Sequence, residues 1–162
     1  MRKALVALAA IAVLAGCTSH KTTVSSDGTT VQTNGTGDNQ TVTVQGNGGS
    51  VTTGKNAVDP AKLGLPVYPG ANQDQGSSMS GTGQQGSGAI VVLKSSDSFD
   101  KVYGWYKQQM PAGSQQMEST SGDSSVAEFQ IGKSTDKEQK SVTITSGSDG
   151  TSIMLISGTK NQ

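Results

Sequence analysis

Apolar residues recur with three different spacings along this chain of 162 residues. Residues 4–15 are twelve consecutive apolar residues without a charge. In residues 98–110, the side chains of Phe99, Val102, Tyr103 and Tyr106 are spaced at i, i+3, i+4 and i+7, which places them on one face of a helix. Later segments alternate apolar and polar residues with a period of two, which is typical of half-buried strands.

The strand pattern occupies most of the chain after residue 89. Residues 89–93 are a continuous apolar run, which predicts a central strand. Residues 125–131, 141–146 and 152–157 alternate or are apolar, and 115–119 is a weak fourth segment. We therefore expect an α+β fold, in which one amphipathic helix packs on an antiparallel sheet of four to five strands.

Capping residues mark the limits of the predicted helical segments. Asp97 stands where the N-cap of the helix is expected, and the Met110-Pro111 pair ends it. Asp59, Pro60 and Gly64 predict a single helical turn, with Asp59 as its N-cap and Gly64 as its terminator. The strap that follows, residues 65–70, must be extended because each proline bars the residue before it from the helical region.

Residues 18–58 have a different composition, and before Val58 they contain only five valines and one alanine, mostly among Ser, Thr, Gly, Asn and Gln. The Asp27-Gly28, Asn34-Gly35 and Asn47-Gly48 dipeptides, flanked by Thr/Val runs, are hairpin signals. Five valines cannot form a core, so a flexible Ser/Thr/Gly-rich tether with transient β-structure is favoured. The alternative is a small ordered β-meander docked on the domain.

Residues 81–86 match the dinucleotide-binding pattern G-x-G-x-x-G. That site needs a strand before the glycines and a helix after them, so that helix N-terminal amides face the pyrophosphate. Here a polar stretch precedes the glycines and the strand at 89–93 follows them. We therefore interpret them as a hairpin loop or linker, with no nucleotide.

The start of the chain has the features of an export signal. Arg2 and Lys3 precede the apolar run, whose twelve residues fall within the roughly 7–15 of a signal-peptide core and short of the about 20 that span a bilayer. Small residues and the single cysteine follow, as Leu14-Ala15-Gly16-Cys17. This stretch resembles the lipobox of bacterial lipoproteins. The resemblance implies that residues 1–16 are removed, that Cys17 carries lipid, and that Thr18 favours outer-membrane sorting towards the periplasm. An ordinary secretory signal is the alternative.

Composition excludes several functions. The chain has 12 Lys and Arg against 12 Asp and Glu, so it offers no basic footprint for nucleic acid. With Cys17 used for lipid and His20 beside the anchor, the folded part has no cysteine or histidine for a metal site or triad. Ser98 and Lys101 spell S-x-x-K, but the partner motifs of acyl enzymes are missing. We expect no catalytic residues, no metal and no cofactor.

The predicted organisation is a signal peptide at 1–16, a lipid-anchored tether at 17–58 and a small α+β domain at 59–162. The L-P-x-Y-P-G-A stretch, with D-S-x-x-x-V-x-x-W-Y further on, resembles uncharacterised bacterial envelope lipoproteins, which implies no activity. Two functions remain. The domain either presents a surface to an envelope protein or the cell wall, or it carries an apolar ligand or lipid between helix and sheet. Trp105 lies off the apolar stripe. We favour a position at the flank of the helix, where it rests against Tyr68 of the strap. The alternative is an exposed aromatic at a partner surface, and Trp105 and Tyr68 are therefore the candidate interaction surface.

The first prediction concerns the anchor. Cys17 should incorporate a palmitate analogue in metabolic labelling, and the Cys17→Ser variant should not, since the thiol is the attachment point. Equal labelling of the two proteins would show that the cysteine does not carry the lipid.

Overall fold

A computed structural model describes residues 20–26, 28–133 and 135–161, without the side chains of residues 20, 21, 38 and 74–77. Its one α-helix, α1, spans Phe99–Gln109, and short 3-10 turns lie at Gly37–Asn39 and Pro60–Leu63. None of the helices in these ranges is long and apolar enough to cross a membrane.

The remaining elements are β-strands. They are β1 His20–Val24, β2 Thr30–Asn34, β3 Thr41–Gly46, β4 Gly49–Gly54, β5 Asn72–Gly83, β6 Gly86–Ser95, β7 Gln115–Ser121, β8 Ser124–Ile131, β9 Glu138–Gly147 and β10 Gly150–Lys160. All pair antiparallel in one sheet with the order β1-β2-β3-β4-β5-β6-β10-β9-β8-β7.

This order follows from two meanders joined by the helix. Strands β1 to β6 each pair with the next strand in the chain. Helix α1 then carries the chain across one face of the sheet to β7 at the far edge, and β7 to β10 return strand by strand until β10 pairs with β6. The crossover puts α1 over β9 and β10.

The two faces of the sheet differ because successive side chains along a strand point to opposite sides. The helix face carries the core. Its buried apolar side chains are Val58, Leu63, Leu65, Tyr68, Val91, Leu93, Phe99, Val102, Tyr103, Tyr106, Ala127, Phe129, Val142, Ile144, Ile153 and Leu155. We call the opposite side the open face.

The fold prediction was wrong about the size of the sheet and about the tether. The described sheet has ten strands rather than four to five. Residues 20–54, expected to be flexible, form β1 to β4, and β4 pairs with β5 from Gly49 to Gly54. The physical reason is that β5 offers a full row of backbone donors and acceptors, so polar strands can extend the sheet without a core of their own. The domain limit at residue 59 stays a prediction.

The segment before β5 forms the strap predicted from its prolines. The Asp59 side chain accepts a hydrogen bond from the Ala61 amide at 3.0 Å, and Gly64 ends the turn at φ 63°, as their positions in the sequence predict. Tyr68 is buried, and its ring meets that of Trp105 edge to face at a centroid distance of 5.3 Å. Trp105 is partly buried and also packs edge to face on Tyr106.

Asp97 links the strap to the beginning of α1. Its carboxylate accepts hydrogen bonds from the Tyr68 hydroxyl at 2.7 Å and from the Lys101 ammonium at 2.8 Å. The prediction that Asp97 caps the helix was wrong: the N-cap is Ser98, whose side chain makes no cap bond. Hydrogen bonds from Lys101 and then Tyr68 lower the pKa of the Asp97 carboxyl from its ordinary value.

The core geometry predicts different costs for two neighbouring aromatic residues. Tyr106 is fully buried and donates its hydroxyl to the Pro66 carbonyl at 3.1 Å, so Tyr106→Ala should destabilise the domain by about 3–5 kcal/mol. Trp105→Ala should lower the free energy of unfolding by less than half as much as Tyr106→Ala, because Trp105 is partly exposed. Thermal melts measure both, and a larger loss for Trp105→Ala would contradict this assignment of the core.

The Asp97 contacts predict a pH dependence of stability. The pKa of the Asp97 carboxyl is lower in the folded state than in the unfolded state. Its contribution to the free energy of unfolding is therefore complete above the unfolded pKa of about 3.9, and it is lost as pH falls through the folded pKa. Asp97→Asn should therefore lower the melting temperature at pH 7, and the difference from the wild type should shrink towards pH 2. Asp123→Asn, in an exposed turn, is the control. A difference that stays constant with pH would show that the charge of Asp97 is unimportant.

Candidate functional site

The open face carries an apolar groove over β5, β6 and β10. The register places Met79 opposite Ile90 and Ile90 opposite Ile156, so the three side chains form one row across neighbouring strands. Met79 is 45% exposed, and Ile90 and Ile156 are partly exposed. An exposed group of large apolar side chains is more informative than single ones, because such patches mark interaction sites.

Beside this row, the same three strands carry glycine. Gly81 lies opposite Gly88, and Gly88 lies opposite Gly158. We call these three residues the glycine row. The glycine row lies two residues along each strand from the apolar row, so both rows are on the same face of the sheet. Because glycine has no side chain, this strip of the open face is bare.

The backbone does not require glycine at these positions. None of the three has a positive φ. A Cβ added at Gly88 or Gly158 would come no closer than 3.6 Å to a neighbouring atom, and one at Gly81 would lie 3.4 Å from the Ser50 carbonyl oxygen. These are ordinary contacts, so side chains would fit. Glycine inside a strand weakens it and often marks a place where a ligand or another chain comes close.

Together the two rows enclose a groove of about 320 Å³. Met79, Ile90 and Ile156 line one side, and the glycine row forms the floor. The groove continues towards the first hairpins, because Val51 lies opposite Gly81 and Val44 lies opposite Val51. Both valines are exposed, by 46% and 42%. The open face can therefore accept an elongated apolar group.

The space between α1 and the sheet is closed. Val102 and Tyr106 from the helix, and Ala127, Phe129 and Ile144 from the sheet, are 0–2% exposed. Side chains around a cavity that could hold a ligand would retain accessible surface. The carrier hypothesis placed its ligand between helix and sheet, and the structure leaves no room for one there.

The residues singled out from the sequence do not come together in the groove. Cys17 and the signal peptide at 1–16 lie outside the described residues. Tyr68 and Trp105 contact each other on the helix side of the molecule, and their role as an interaction surface stays a prediction.

The structure gives no support to the possible acyl-enzyme pair of Ser98 and Lys101. The hydrogen bond to Asp97 raises the pKa of the Lys101 ammonium, which is the opposite of what a lysine base needs. Within the described parts of the chain, no group of three or more His, Cys, Asp or Glu is placed to hold a metal ion.

The groove was not predicted from the sequence, although the pattern of glycines in residues 81–88 contains part of it. A two-residue turn at Gln84-Gln85 pairs Gly83 with Gly86, and the same register pairs Gly81 with Gly88. The G-x-G-x-x-G pattern is therefore part of a hairpin with symmetrically placed glycines. The third glycine, Gly158, comes from β10, and its place beside Gly88 depends on the long connection through α1.

Comparison with known proteins identifies one family. The family described as START domain-like matches residues 75–157, just over half of the chain. The match begins within β5 and ends within β10, so it includes α1 and leaves out β1 to β4. No curated protein and no solved structure matches.

Proposed function

Because the chain belongs to the START domain-like family, we propose that its small domain binds an apolar ligand in the open-face groove. The observation that carries the proposal is the glycine row beside Met79, Ile90 and Ile156. Three strand positions that could hold side chains hold none, and the bare strip lies next to the exposed apolar row.

The dimensions of the groove define the kind of ligand. Its volume of about 320 Å³ is at the lower end of the roughly 300–1,000 Å³ of small-molecule sites. It is open along one side and lies on the surface of the sheet. A single alkyl chain fits such a groove better than a large rigid ring system, because it can lie along the strip and continue over Val51.

Binding in this groove requires no chemistry from the protein. The walls of the groove carry no titratable side chain, since they consist of apolar residues, glycines and serines. We therefore propose a carrier or sensor of an apolar compound, not an enzyme, and we expect neither a metal nor a cofactor to take part.

We further propose that the protein works in the cell envelope, attached to the membrane through lipid on Cys17. The lipobox resemblance at residues 14–17 supports this location, and Thr18 favours the outer membrane facing the periplasm. In that setting the groove would face apolar compounds that leave or enter a membrane. Presentation of Trp105 and Tyr68 to an envelope protein or the cell wall remains the alternative function.

Filling the glycine row tests the proposal. The full chain should bind 1-dodecanol in isothermal titration calorimetry, and Gly88→Val should abolish binding, because the valine side chain occupies the floor of the groove. The same change should leave the melting temperature equal or higher, because valine is preferred over glycine in strands by up to about 1 kcal/mol.

A glycine outside the groove provides the control. A Cβ at Gly104 in α1 meets no atom within 4 Å, so Gly104→Ala should stabilise the helix by about 1 kcal/mol without changing dodecanol binding. Equal binding by the wild type and Gly88→Val would contradict the location of the site, and no binding by the wild type would contradict the function.

A further inference from the structure

The valines of the first hairpins all lie on one face of the sheet. The register pairs Val31 with Val44 on the next strand, and Val44 with Val51 on the one after it. Val51 lies opposite Gly81, which belongs to the open face. Val42 is two residues from Val44 on β3 and therefore points to the same side. We call Val31, Val42, Val44 and Val51 the valine patch.

The helix face of β2 to β4 carries hydroxyl and amide side chains instead. Thr43 and Thr52 share a hydrogen bond of 2.9 Å there, and Ser50 and Thr82 share one of 3.0 Å. Strands β2 to β4 contain no Asp, Glu, Lys or Arg. This part of the sheet is therefore amphipathic without being charged, and its apolar side is the one that faces away from helix α1.

The valine patch continues into the groove. Val51 lies beside the glycine row, and Val42 lies in line with Met79 through Thr53, which pairs with both. Together the patch and the groove extend over β2 to β6 and β10. Six neighbouring strands span about 24 Å. A continuous band of exposed apolar side chains, unlike a single one, marks an interaction surface.

The length of chain before β1 indicates what this surface contacts. The first described residue, His20, already belongs to β1, and only Thr18 and Ser19 separate it from Cys17. The Cα atoms of Cys17 and His20 are therefore at most about 11 Å apart. Lipid on Cys17 would hold the first hairpins at the bilayer surface. At such a short distance the effective concentration of lipid is high, so a weak apolar contact is enough to orient the domain.

We propose that the open face lies on the bilayer, with the valine patch in contact with lipid and the groove open towards the membrane. The inference rests on the proposed function, because it requires the lipid on Cys17. It also identifies the source of the ligand. An alkyl chain of a membrane lipid enters the groove along the valine patch and does not have to cross water.

The composition of the first hairpins determines the kind of contact. Because β2 to β4 carry no charged residue, docking through the valine patch needs neither anionic lipid nor low salt. Four valines on a sheet surface reach only a short way into the lipid. The covalent lipid therefore supplies the attachment, and the valine patch determines which face is turned to the membrane.

Two adjacent residues of β3 test the orientation. Val44 and Gln45 are both exposed and point to opposite faces. Cys17 is the only cysteine, so in the lipidated chain an introduced cysteine is the only free thiol. Val44→Cys and Gln45→Cys are each labelled with a nitroxide, in the full lipidated protein on vesicles of phosphatidylethanolamine and phosphatidylglycerol. Electron paramagnetic resonance then measures collisions of each nitroxide with oxygen, which concentrates in lipid, and with a water-soluble nickel chelate.

The two labels should differ in their surroundings. Labelled Val44→Cys should be accessible to oxygen and severalfold less accessible to nickel than labelled Gln45→Cys, because only the first lies in lipid. The difference should remain at high salt and on vesicles of phosphatidylcholine, since the contact involves no charge. Without the lipid, in Cys17→Ser, both labels should be accessible to nickel.

Matched valine variants show whether the valine patch causes the orientation. Val31→Thr combined with Val51→Thr keeps β-branched side chains on both sides of residue 44, so the strands should remain stable. This pair should reduce the protection of labelled Val44→Cys from nickel severalfold. Val24→Thr is the control, because Val24 is exposed but lies on the helix face, opposite Thr30. It should leave the protection unchanged.

The outcomes separate this proposal from the proposed function. Equal access of nickel to the two labels would overturn the docking. Low access of both oxygen and nickel to labelled Val44→Cys would also overturn it, because protein, such as a second copy of the chain, would then cover the valine patch. If dodecanol binds in the calorimetric titration while residue 44 stays in water, the groove is confirmed and the docking fails. If Cys17 carries no lipid, the docking fails as well, and the titration still decides on the groove.

Discussion

The packing of one short helix on a wide sheet determines the rest of this structure. Helix α1 has 11 residues and is about 16 Å long. Ten strands spaced about 4.8 Å apart span roughly 43 Å. One helix can therefore cover only a few strands on one face, and it covers the region of β9 and β10. The core is confined to that side, and everything else in the sheet has to remain stable in contact with water.

That constraint explains the composition of the first hairpins. Strands β1 to β4 lie beyond the reach of α1, and they consist mainly of Thr and Val. Threonine and valine suit a strand without needing a core. Side-chain hydrogen bonds across strands, such as Thr43 to Thr52 at 2.9 Å, add to the backbone pairing. The low apolar content of 31% for the chain is a consequence of a sheet that is mostly exposed.

The same constraint shows which parts of the fold could be predicted from the sequence. Helix α1 was predictable because Phe99, Val102, Tyr103 and Tyr106 repeat with the helical period and are buried together. Hairpin turns were recognisable from their Asn-Gly and Asp-Gly pairs. Strand β5 was missed because Met79 is the only large apolar side chain in it, so its order comes from pairing with β6 rather than from burial.

The tether was misjudged for a related reason. The five valines indeed form no core, since none of the buried apolar residues lies in β1 to β4. It does not follow that the segment is flexible, because the edge of β5 supplies hydrogen bonds that a free hairpin lacks. Backbone pairing between strands that are far apart in the sequence leaves no periodic pattern of apolar residues. The position of Gly158 beside Gly88 depends on such pairing, so it could not be predicted either.

The two faces of the sheet differ in how a substitution affects the stability of the fold. On the helix face, residues such as Tyr106 and Phe129 are fully buried, so a change in their size disturbs the core. On the open face, the glycine row lies in ordinary extended backbone with space above it. Side chains there would strengthen the strands, yet the chain keeps three glycines in register. This bare surface, beside Met79, Ile90 and Ile156, is the reason why we propose that an apolar ligand lies there.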